Sequence, residues 1–180
     1  MTTALFLTAA AAAPTADAPA ALVKLVEPWA TFYADSKLVA TLILFGHIAA
    51  LLFAGGLAVT LDCGTLRAIR MPDLRPRQLD DLGASHRIVI AGLALSAVTG
   101  VLMFTADLEA YFVSPVYWTK MTLIVLLLAN GYRMTRAEAA LRAGATNVDA
   151  QWRRLRFAAV ASLVLWFAIA LAGVALVNAA

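Results

Sequence analysis

From Leu38 to Leu61 the only ionisable side chain is His47. About 24 residues at ~1.5 Å each cross the ~30 Å hydrocarbon core of a bilayer, so the stretch predicts a membrane-spanning helix with one polar, metal-competent group near its middle. Gly46, Ala50, Ala54 and Ala58 recur at i, i+4 as a row of small residues, with His47 and Gly55 on the adjoining row. Such a face lets another helix, or a flat cofactor, approach closely. An ionisable group inside a membrane helix points to function, and its partner has to be sought elsewhere in the chain.

The rest of the chain has the same character. Hydrophobic residues make up 63% of the 180, charged residues 14%, and the mean hydropathy is +0.84. A soluble domain carries about 25% charged residues, so the composition is that of an integral membrane protein. The net charge of +3 does not point to nucleic acid, because the basic residues are grouped as a membrane protein groups them. The single cysteine, Cys63, cannot form an internal disulfide, and no zinc-ligand spacing is present.

Three more spans are predicted, at about 86–106, 115–132 and 155–177 after the first at about 38–61. The second contains Gly92, Ser96 and Gly100, another small-residue row, which makes the first two helices natural neighbours. The third opens with Pro115 and the interfacial pair Tyr117-Trp118 and carries one charge, Lys120. The fourth has Trp166 near its centre. Between spans, Asp62–Arg87 reads as a loop in which Pro72 and Pro76 break any long helix. Arg133–Arg156 reads as a second basic loop, with Glu138–Ala143 continuing the third helix into water. Eleven of the fourteen Lys and Arg residues fall in these two loops, which therefore face the cytoplasm. Both termini then lie outside. Residues 1–37 form an N-terminal arm whose alanine-rich start, Met1–Ala13, is too short to span, while Ala21–Tyr33 suits the headgroup layer. The expected fold is all-α: an integral membrane four-helix bundle over residues 38–180, N-out and C-out, with an interfacial arm.

Depth limits the chemistry. By helix rise, His47 lies roughly 13 Å from the outer surface and Lys120 roughly 7 Å from the same side, while His86 sits roughly 16 Å deeper than His47. The two histidines are too far apart to ligate opposite faces of one haem. No Ser/His/Asp or Cys/His set can be assembled, no phosphate-binding loop is present, and the methionines are scattered. His47 alone is compatible with a hydrogen-bonded neutral imidazole, a tetrapyrrole or metal ligand, or a quinone or proton site. Lys120 alone is compatible with a side chain that snorkels to the outer surface beside Trp118.

Three segments carry a family resemblance: Gly46-His47 with Gly55-Gly56, the run Val98-Thr99-Gly100-Val101-Leu102-Met103-Phe104, and Tyr117-Trp118-Thr119-Lys120. Over about residues 38–177 the chain resembles the small four-helix bacterial membrane proteins of the copper-resistance D-like group. More distantly it is similar to the HemJ-type protoporphyrinogen oxidases, which have a histidine in the first helix, a lysine early in the third and a b-type haem. The resemblance implies that His47 matches that histidine and Lys120 that lysine. The third helix here ends Ala129-Asn130-Gly131-Tyr132-Arg133 instead of in a histidine-rich segment, and the N-terminal arm is additional.

The candidate cofactor-binding residues are His47, Lys120, Gly46, Gly55 and Trp118, with His47 as metal ligand. The resemblance implies haem b and electron transfer in the bacterial inner membrane, with a quinone or a larger membrane complex as partner and no nucleic acid. Two alternatives stand beside this: a non-catalytic accessory subunit of a respiratory, photosynthetic or transport complex, and copper handling, which the family name implies.

Overall fold

The computed structural model describes residues 17–179. Among these the chain is all-helical, with α1 Ala20–Asp35, α2 Lys37–Arg70, a 3-10 turn Pro72–Leu74, α3 Arg75–Ala106, α4 Leu108–Val113, α5 Pro115–Arg142 and α6 Val148–Ala179. The alanine-rich start of the arm, Met1–Ala13, lies outside the described residues. Three helical segments, Lys37–Arg70, Pro72–Ala106 and Val148–Asn178, are long and apolar enough to cross a membrane. α5 is equally helical, but Lys120 and Asn130 interrupt its apolar run.

The helix ends follow local chemistry. The Ser36 hydroxyl accepts from Val39 N at 3.4 Å and begins α2 almost directly after α1. Ser114 does the same for α5 through Tyr117 N at 3.3 Å, with Pro115 in the first turn, where its missing N–H costs nothing. Gly144, at φ +75°, ends α5 in the left-handed region that favours glycine. Asn147 Oδ1 accepts from Ala150 N at 3.1 Å at the start of α6.

The segments expected as loops are mostly helix. α2 continues through Asp62 to Arg70, and α3 restarts at Arg75, so only Met71–Leu74 separates them. Pro72 ends the run before it, and Pro76 falls in the first turn of α3, where proline is tolerated, so neither breaks a helix interior. A 34-residue helix is about 51 Å long against a ~30 Å hydrocarbon core, so a further section lies beyond the apolar zone. That section has its own core of Ala68, Ala137, Trp152 and Leu155. Arg142 ties it together, donating to Glu138 Oε1 at 2.9 Å and to the Leu79 carbonyl.

α2 packs along α3, α5 along α6, and α2 crosses onto α6, whereas α3 and α5 scarcely touch. The two small-residue rows meet as their sequence implies. Ala54 is fully buried, and a Cβ built on Gly92 would stand 2.7 Å from the Ala54 Cβ. α1 lies against α3 and α2, with Trp29 Nε1 donating to the Leu102 carbonyl at 3.0 Å. The bundle is thus closed on three sides and loosely packed along the α3–α5 seam.

Candidate functional site

Two cavities lie along that seam. One, of about 190 Å³, is at the α1 end of the bundle and is lined by His47, Ser96, Lys120 and apolar side chains. The other, of about 410 Å³, is at the opposite end and is lined by Asp62, His86, Asn130, Glu138 and Ser162. Leu93, Leu127, Leu128 and Trp166 line both, so they form the partition between them. The partition is part of the bundle core, where Trp166 packs with Ala54, Leu127 and Ile169.

His47 is held from α3. Its Nδ1 lies 3.0 Å from the Ser96 carbonyl oxygen and 3.0 Å from Thr99 Oγ1, and the Thr99 hydroxyl donates to the Leu95 carbonyl at 2.8 Å. A carbonyl can only accept, so Nδ1 carries the hydrogen and the lone pair is on Nε2. Among the described residues Nε2 has no hydrogen-bond partner. A ring fixed through Nδ1–H to a backbone carbonyl, with Nε2 free, is how proteins present imidazole to a metal. Gly100 makes room for the ring: a Cβ there would stand 3.3 Å from His47 Cε1.

Lys120 is half-buried and lies inside the bundle, with Nζ 3.8 Å from where a Cβ on Gly173 of α6 would be. It makes no ion pair or hydrogen bond among the described residues. Around the end of the same cavity Phe104 and Tyr117 stack at 4.9 Å between ring centroids, with Tyr111 5.6 Å from Tyr117. Burial, then the nearby Asp107 charge and Tyr33, raise the Tyr111 phenol above its usual range.

Of the five candidate residues, His47 and Lys120 share a cavity, and the other three are elsewhere. A Cβ on Gly55 would stand 3.1 Å from the Trp166 ring, so the flat group this glycine admits is an indole of the same chain. A Cβ on Gly46 would stand 3.7 Å from Thr99 Cγ2, so this glycine serves the α2–α3 contact. Trp118 is exposed, with its Nε1 donating to the Phe112 carbonyl at 2.8 Å, which keeps it off the cavity wall. His86 lines the other cavity, apart from His47.

Sequence reasoning missed Thr99, the aromatic group and Asp62. For Asp62 the signal was present: it continues the row Gly46, Ala50, Ala54, Ala58 by one more i+4 step and so had to lie on the packed face of α2. It is 2% exposed. Among the described residues no three His, Cys, Asp or Glu side chains group closely enough to hold a metal on their own. Comparisons with known proteins add no relative: no family model, curated protein or solved structure matches the chain.

Proposed function

We propose that this chain is a four-span protein of the bacterial inner membrane, N-out and C-out, that holds haem b at His47 and serves electron transfer. The observation that carries the reading is the state of His47, which lines an apolar cavity with Nδ1–H bound to the Ser96 carbonyl and Nε2 without a partner among the described residues. Thr99 braces the ring from the same side, and Gly100 leaves it room. The donor set fits a haem iron better than a bare metal ion, because the porphyrin supplies the four nitrogens that the protein lacks.

The cavity wall fits the group in kind. It is apolar and aromatic, and it includes one amine, Lys120, whose ammonium form would pair with a propionate. At about 190 Å³ it lies below the ~300–1,000 Å³ of small-molecule sites, so a porphyrin would require the sparsely packed α3–α5 seam to part. Haem would supply one-electron chemistry whose potential depends on burial and axial ligation. The chain's own residues orient the ligand nitrogen, exclude water with Phe104, Tyr111 and Tyr117, and place a positive charge beside the site.

α5 would be the fourth span, its Lys120 and Asn130 turned to the bundle: the Asn130 amide donates to the Ala158 carbonyl at 2.8 Å. An absorbance spectrum of the purified protein, oxidised and reduced, tests the haem reading. A Soret band that is lost in His47→Ala is expected. A colourless preparation, or a band indifferent to His47→Ala, would overturn it, and a colourless chain migrating with partner subunits would be an accessory subunit instead.

A further inference from the structure

The arginines around the second core differ in what answers them. Arg75 pairs with Asp149, and Arg142 with Glu138 and Asp80. On α5 and α6 the other five arginines, Arg133, Arg136, Arg153, Arg154 and Arg156, are exposed and make no ion pair among the described residues. The only acids of these two helices are Glu138 and Asp149, and both are taken. The level of the five is fixed by the Asn130 amide, which donates to the Ala158 carbonyl and sets the register of the antiparallel α5–α6 pair. Counted from that tie at ~1.5 Å per residue, Arg156, Arg133, Arg154, Arg153 and Arg136 stand roughly 3, 4.5, 6, 7.5 and 9 Å along the bundle. The band is thus about 6 Å tall, and the headgroup layer of a bilayer is about 5–8 Å deep.

Directly below the band the exposed surface turns apolar, with Phe157 and Val160 on α6 and Leu128 on α5. Tyr132 stands at the boundary. Arg136 Nη1 donates to its phenol oxygen at 3.1 Å, and the guanidinium lies 5.8 Å from the ring centroid. An arginine one turn farther out is thereby drawn back toward the apolar face instead of reaching into water. Water satisfies an exposed guanidinium, so exposure by itself names no ligand. The juxtaposition does: cations in a headgroup-deep band above an apolar face complement a molecule that carries a phosphate above two acyl chains. An acidic protein or a nucleic acid would gain as much from Arg70 and Arg77, roughly 14 and 16 Å beyond the apolar runs that end at Leu61 and begin at Ile88, and would leave Phe157 and Val160 uncovered. The type of cation agrees. Lys24, Lys37 and Lys120 all belong to the α1 end, and every other Lys or Arg is an arginine, whose planar fork engages phosphate oxygens two at a time.

We infer that the α5–α6 arginine band binds an anionic glycerophospholipid, its phosphate on the guanidiniums and its acyl chains along Phe157, Val160 and Leu128. The inference rests on the reading of the bundle as membrane-spanning and is independent of haem. The full chain in detergent micelles is titrated with dioleoylphosphatidylglycerol and with dioleoylphosphatidylcholine, which share their acyl chains and differ in net charge, and bound lipid is counted by native mass spectrometry. Phosphatidylglycerol is expected to bind at least about tenfold more tightly, since one basic residue near a membrane surface contributes about fivefold and several face the phosphate. Arg133→Gln/Arg156→Gln is expected to bring the preference below about threefold. Arg70→Gln/Arg77→Gln, which removes the same charge farther out, is expected to leave it within about twofold of the unaltered chain. Raising ammonium acetate from about 50 mM to about 500 mM is expected to lower the preference of the unaltered chain at least about threefold, a measurement that keeps the test decisive if a variant does not fold. Equal binding of the two lipids, an equal loss in both double variants, or a preference indifferent to salt would overturn the inference. A chain that stays dispersed without detergent or lipid would overturn the membrane reading itself, and the inference with it.

Discussion

Gly92→Ala is the substitution whose cost follows most directly from the geometry. The added Cβ would stand 2.7 Å from the Ala54 Cβ and 3.4 Å from the Ala50 carbonyl oxygen, both on α2. Carbon atoms pack at about 3.5–4.0 Å, so α2 and α3 must part locally by about 1 Å. Ala54 is fully buried and packs with Trp166, so the displacement is transmitted into the partition between the two cavities. Overpacking of this kind costs about 1–3 kcal/mol, while replacing a mid-helix glycine returns about 0.5–1 kcal/mol of helix propensity. The net expectation is a loss of about 1–2 kcal/mol. Gly56→Ala and Gly131→Ala are the controls, because a Cβ at either meets nothing within 4 Å; both should be neutral or slightly stabilising. Unfolding of the detergent-solubilised protein, followed by circular dichroism, measures all three. The double variant Ala54→Gly/Gly92→Ala moves the methyl group to the other helix and should recover most of the loss. If Gly92→Ala proves as stable as Gly56→Ala, the close α2–α3 approach described here is wrong.

Two other outcomes are expected. Arg142→Ala removes the partner of Glu138, which is 7% exposed, together with a donor to the Leu79 carbonyl, and should destabilise the protein by about 1–3 kcal/mol. Adding Glu138→Gln should restore part of that loss, because no unpaired charge then remains buried; chemical unfolding of the single and double variants reads the coupling. Tyr111 gives a pH signature. Its folded-state phenol titrates above the unfolded value of about 10, so as pH rises the unfolded chain loses its proton first, and the contribution to stability is intact below about 10 and lost above it. Tyr111→Phe should flatten that alkaline decline in thermal melts, and an unchanged slope would mean that Tyr111 is solvated like an ordinary tyrosine.

Much of the architecture could be read from residue order. The apolar runs gave the helices, Pro115 the start of α5, and the rows Gly46–Ala58 and Gly92–Gly100 the α2–α3 pairing, since small side chains at i, i+4 are the ones that let two backbones approach. The first basic segment reads as a loop only if Pro72 and Pro76 are treated as breakers of a helix interior. Pro76 falls in the first turn of α3, a position that residue counting alone does not reveal.

The chain by itself therefore determines which segments are helical and which faces are narrow, because propensity and spacing are local properties. It also determines that His47 is isolated among apolar residues. What surrounds His47 is a tertiary matter. The Ser96 carbonyl and Thr99 reach it from 49 and 52 positions away and fix which nitrogen is free. The same packing gives Gly55 to Trp166, excludes Trp118, and leaves a cavity at Asp62 that no spacing rule indicates. Those outcomes depend on α3 and α5 failing to close against each other while the other helix pairs do, and that is decided by how four surfaces fit together at once.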